Sequence, residues 1–82
     1  MNNREIIDKY ADAMALSFGK EVSIMRQARG MNRSQLAREA LVSYKWIVAI
    51  ESGKRMPSPY VIISITLALN FYDWDFMKLK KV

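Results

Sequence analysis

Apolar residues recur at helical spacing from the start of the chain. Ile6 or Ile7, then Tyr10, Met14, Phe18, Val22 and Met25 fall three or four positions apart, the period of one helix face. Asn2 with Glu5 three residues on reads as a capping box that opens this helix. Gly30 closes it, since glycine takes the left-handed conformation without a steric penalty. Gly19 weakens the middle by up to about 1 kcal/mol, so 3–29 is one long helix or two. Asn32 with Gln35 repeats the capping pattern and opens a helix through Ala40, with Leu36, Ala37 and Ala40 on one face. Leu41-Val42-Ser43 is a turn. Ser43 caps the next helix, Tyr44–Glu51, whose Ile47 and Ile50 face inward and which Gly53 ends. Ser58 and Pro59 form an N-cap and first-position pair for a fourth helix running to Asn70. The β-branched run Val61-Ile62-Ile63 also suits a strand, but the Ser-Pro start and the length favour helix. A last helix begins near Asp73 and carries Trp74, Met77 and Leu79. Its Asp73 and Asp75 lie in the first turn and Lys78, Lys80 and Lys81 in the last, matching the helix dipole. The pattern is all-α and compact, with five helices, or six if the first divides.

Charge sharpens this picture. Residues 20–55 carry eight Lys/Arg against three Asp/Glu, a net of +5, which equals the net charge of the whole 82-residue chain. Basicity focused on a pair of short helices suits a surface that meets polyanionic nucleic acid. The chain has no Cys and no His, which removes disulfides and the commonest metal ligands and suits a reducing cytoplasm. No cofactor is expected, nor an enzyme, because no constellation of Ser, Lys or carboxylates suggests catalysis. Met1–Asp12 is too polar for a signal peptide. The longest apolar run, Val61–Leu69, is interrupted by Ser64 and Thr66 and falls far below the ~20 residues that span a bilayer. A soluble, single-domain protein without a membrane partner is expected.

From Phe18 to Phe71, about two-thirds of the chain, the residues carry a resemblance. The Gly30-x-Asn32-x-x-x-Leu36-Ala37 opening, the Ile47-x-x-Ile50-Glu51-x-Gly53-Lys54-Arg55 close and the Pro57-Ser58 start are all in register. Together they resemble the Cro/C1-type (XRE-like) helix-turn-helix family of phage repressors and small bacterial transcriptional regulators. The resemblance implies a lambda-repressor-like DNA-binding domain over 18–82, with 1–17 as an extra N-terminal helical extension. A recognition helix places its N-terminal residues on base edges in the major groove. Here those are Tyr44 and Lys45, with Ala49 one turn further on. Lys45 can donate to guanine O6/N7, Tyr44 can bond a base or a phosphate, and Ala49 can touch a thymine methyl. Trp46, where the family usually has a small polar residue, either meets DNA or packs against Ile50. Family resemblance sets Arg33, Lys54 and Arg55 against phosphates, which position the protein rather than specify sequence. It also implies a structural ion pair between Arg26 and Glu51. The chain departs from the family at Leu41, where glycine is common in the turn, at Thr66, where a buried alanine is usual, and in the stretch before Phe18.

The family register assigns Ile62, Ile65, Leu69 and Phe71 to the core and turns Tyr60, Ile63 and Leu67 outward. With Trp74 and Met77 these form an apolar surface that suits a homodimer seam, unless residues 3–17 fold back to cover it. The expected function is a sequence-specific double-stranded-DNA-binding transcriptional regulator. Its expected form is a dimeric repressor on a pseudo-palindromic operator, in the cytoplasm, bacterial or phage-encoded. The alternative is a protein-binding module, such as an antitoxin that neutralises a toxin and autoregulates its operon, with a toxin or protein antagonist as partner.

Overall fold

The structure, a computed structural model, describes residues 1–54 and 56–69. Four helices follow one another: α1 Asn3–Ala28, α2 Arg33–Ala40, α3 Tyr44–Glu51 and α4 Pro59–Ala68, with no strand among the described residues. Each start is capped by the side chain expected of it. Asn2 Oδ1 accepts from Glu5 N at 2.9 Å, Ser43 Oγ from Trp46 N at 3.2 Å and Ser58 Oγ from Val61 N at 3.4 Å. At Asn32 and Gln35 both halves of the capping box form, which satisfies donors that a helix start leaves orphaned.

Three helix ends share one geometry. The chain turns left-handed at Gly30 (φ 67°), Leu41 (φ 59°) and Gly53 (φ 76°). In each case two backbone N–H groups return to the last turn: Gly30 N to Gln27 O and Met31 N to Arg26 O, Leu41 N to Arg38 O and Val42 N to Ala37 O, Gly53 N to Ile50 O and Lys54 N to Ala49 O. This is the Schellman arrangement. Leu41 adopts it without glycine's freedom, which costs roughly 1–2 kcal/mol, and its side chain is 83% exposed and gains little packing in return.

Val22, Leu36, Ala37, Ala40, Ile47, Ile50, Ile65 and Leu69, drawn from all four helices and the end of the last, make the core. Ile62, expected in the core, is only half-buried, and Val61 packs against the core instead. Thr66 is buried among apolar neighbours, and its hydroxyl donates to Ile62 O at 2.7 Å, so the departure from alanine leaves no unsatisfied polar atom. α2 packs on both α3 and α4, while α1 packs chiefly on α3.

Three expectations are amended. α1 is one helix through Gly19, which removes the six-helix alternative. α4 stops at Ala68, with Leu69 as its cap, short of Asn70. Residues 3–14 of α1 are all exposed, so the apolar spacing of Ile6, Ile7, Tyr10 and Met14 makes a helix but no core, and residues 3–17 do not fold back over α4. The helix expected from Asp73, with Trp74 and Met77, and the core position Phe71 lie outside the described residues.

Gly19 has a packing reason. A Cβ there would run into the carbonyl of Ile50 and stand 3.1 Å from that of Glu51. Helix propensity alone predicts that Gly19→Ala gains about 1 kcal/mol; the close approach predicts a loss of about 1–3 kcal/mol. Urea denaturation separates the two, and a gain would mean that α1 and α3 are not in backbone contact. By the same measurement Leu41→Gly is expected to stabilise the chain by roughly 0.5–1 kcal/mol, the strain relieved less glycine's entropy.

Candidate nucleic-acid interface

α2, the turn 41–43 and α3 form a helix-turn-helix whose second helix is buried on one side only. Ile47 and Ile50 are lost in the core, while Tyr44, Lys45, Trp46 and Val48 stay exposed. The Ser43 cap sets the first turn of α3, and the left-handed Gly53 turns the chain so that Lys54 N–H donates to Ala49 O at 3.3 Å. Lys54 thereby returns beside the helix it follows. Ser43, Lys45, Trp46, Ala49 and Lys54 line one shallow open concavity of about 500 Å³. Four of the residues expected to meet DNA are thus on one surface, and Ser43 joins them. Trp46 remains 42% exposed on this surface, whereas Ile50 is buried. Tyr44 is exposed outside the concavity, and Arg55 lies outside the described residues.

Behind this surface sits a charged cluster. Arg26 Nε donates to Glu51 Oε2 at 2.7 Å and Nη2 to Oε1 at 3.1 Å, while Nη1 donates to Met31 O at 2.8 Å. The side chains are 10% and 4% exposed. A guanidinium side-on to a carboxylate is the strong, oriented form of ion pair. The hydrogen bond to Glu51 raises the Arg26 pKa, burial opposes it, and smaller electrostatic contributions from Glu51 and Tyr44 act with the hydrogen bond. Arg26 comes from the last turn of α1, Met31 from the α1–α2 connection and Glu51 from the end of α3, so one side chain joins three segments.

Arg33 departs from the simple expectation of a lone phosphate contact. Its Nε donates to Glu51 Oε1 at 3.0 Å, with the side chain 45% exposed. Its position at the start of α2 is legible in the sequence; the contact, 18 residues distant, is not. On α4, Tyr60, Ile63 and Leu67 are exposed large apolar residues at spacings that share one helix face. Among the described residues no group of three or more acidic side chains could hold a metal ion, and no helix is long and apolar enough to cross a membrane.

A profile of the helix-turn-helix family matches residues 22–76 of the chain. The crystal structure of the restriction-modification controller protein C.AhdI from Aeromonas hydrophila superposes with a TM-score of 0.68 at 26% sequence identity, covering 71% of this chain and 88% of that one. No curated protein sequence gives a significant match.

Glu51→Ala leaves the buried Arg26 as a lone cation and is expected to cost about 3–5 kcal/mol, and Arg26→Ala, after which Glu51 keeps only the half-exposed Arg33, is expected to cost somewhat less. Replacing both by apolar residues of similar size, Arg26→Met with Glu51→Leu, should cost far less than the sum of the two truncations. Equilibrium unfolding of the four proteins tests this, and simple additivity would show that the pair is not desolvated as a unit.

Proposed function

This chain belongs to the Cro/C1-type helix-turn-helix family of DNA-binding transcriptional regulators, and we propose that it acts as a dimeric repressor on a pseudo-palindromic operator read through the major groove. The gathering of Lys45, Trp46, Ala49 and Lys54 with Ser43 on the exposed side of α3 is the observation that carries this reading. A helix in the major groove needs hydrogen-bond donors for base edges, apolar groups for thymine methyls and flanking cations for phosphates. Lys45 supplies the first, Ala49 and Trp46 the second, and Lys54 with Arg33 and Arg55 the third. Tyr44, exposed beside them, bonds a base or a phosphate.

Dimerisation is supported by the exposed apolar face of α4, where Tyr60, Ile63 and Leu67 have no cover from α1. Trp74 and Met77 extend it in the sequence. A two-fold axis there sets two copies of α3 about 34 Å apart, one turn of DNA. Repression follows by occlusion, since a bound dimer covers the groove that a polymerase needs.

Selection from a random pool of DNA duplexes is expected to return a two-fold-symmetric site with half-sites about 10 base pairs apart. Lys45→Ala should flatten base preference at one position of each half-site, whereas Lys54→Ala should weaken all sequences alike and lower the salt slope by about 1. Enrichment of no sequence, or an unchanged preference in Lys45→Ala, would sink the base-reading assignment. A chain that sediments as a strict monomer at micromolar concentration, with and without DNA, would sink the dimer.

A further inference from the structure

Glu51 receives two arginines, and it needs only one. Arg26 occupies both carboxylate oxygens, at 2.7 and 3.1 Å, and one guanidinium already balances the charge. Arg33 nevertheless reaches the same Oε1 with its Nε at 3.0 Å. The cluster of two cations and one anion keeps one surplus positive charge. That surplus belongs to the exposed member: the Arg33 side chain is 45% exposed, against 10% for Arg26.

The way Arg33 is held matters. A guanidinium fixed through Nε has its plane and direction set, while its terminal Nη groups stay available. No other side-chain hydrogen bond of Arg33 is present among the described residues. The Nη fork is the part that matches two phosphate oxygens at once. A long side chain that is ordered before docking loses less freedom when it docks. We infer that Glu51 is a positioning residue for DNA binding, in addition to its pairing with Arg26: it holds the Arg33 guanidinium in the orientation that receives a backbone phosphate. This rests on Arg33 being a phosphate contact, and the test separates the two.

Binding of the intact chain to a pool of short random-sequence duplexes is measured by fluorescence anisotropy at several salt concentrations, because phosphate contacts are independent of sequence. Arg33→Ala is expected to weaken binding about tenfold and to lower the salt slope by about 1. In a Glu51→Gln background the same substitution should cost at most about threefold, a coupling that a purely structural Glu51 would not show. Arg33→Lys keeps the charge but not the Nε edge, so it should weaken binding while leaving the slope unchanged. Equal costs of Arg33→Ala in the two backgrounds would overturn the positioning role and leave the phosphate contact standing. No loss in Arg33→Ala, or no binding to the pool at low salt, would remove the phosphate contact itself and the inference with it. If circular dichroism shows Glu51→Gln unfolded, the Arg33 Nε–H of the unaltered chain without DNA decides the matter by NMR. Slow solvent exchange supports the inference, and exchange as fast as in free arginine overturns it.

Discussion

A buried carboxylate at the end of α3 governs how that helix is held. Glu51 stands where the helix dipole disfavours an anion and where water barely reaches it. Such a charge persists only with strong partners, and here they come from α1 through Arg26 and from α2 through Arg33. Arg26 spends its remaining donor on Met31 O, which also fixes the connection into α2. A steric constraint meets this electrostatic one at the same place, because Gly19 lets the α1 backbone approach the carbonyls of Ile50 and Glu51. Attraction and fit therefore anchor the C-terminal end of α3, while its outer face, with Lys45 and Trp46, is left to solvent.

The connections add to this rigidity. Every described helix starts on a side-chain cap, and α1, α2 and α3 end in paired backbone hydrogen bonds. In the turn of the motif, Ser43 serves α3 on one side and Leu41 closes α2 on the other. No residue between α2 and α3 is spare, so the two helices keep one mutual angle.

Much of this was legible in the sequence because much of it is local. The caps at Asn32, Ser43 and Ser58 involve partners three residues away, and Ser43 with Gly53 bounded α3 to the residue. Leu41 was visible as an oddity, and the left-handed φ supplies its reason. What stayed hidden is non-local. Gly19 reads as a weak point of a helix until the backbone 31 residues later is seen against it. Arg33 reads as a surface cation until Glu51 comes into reach. The apolar spacing of Ile6, Tyr10 and Met14 predicts a buried face equally well whether or not anything lies opposite, because periodicity records a helix and not its neighbour.

That last point bears on how α1 holds together. Its 26 residues are hydrogen-bonded as one rod, about 39 Å long at 1.5 Å per residue, yet burial begins only at Ala15. The half that follows is fastened by Gly19, Val22 and Arg26 to the rest of the molecule. Among the described residues the half that precedes has only its own turns and the Asn2 cap, and an isolated helix of about 12 residues is marginal in water. Opening it from the N-terminus therefore breaks few contacts, whereas unwinding it past Ala15 requires the whole core to give way. α1 is one helix in its geometry and two in its stability, with a steep gradient of free energy along a rod that shows no break.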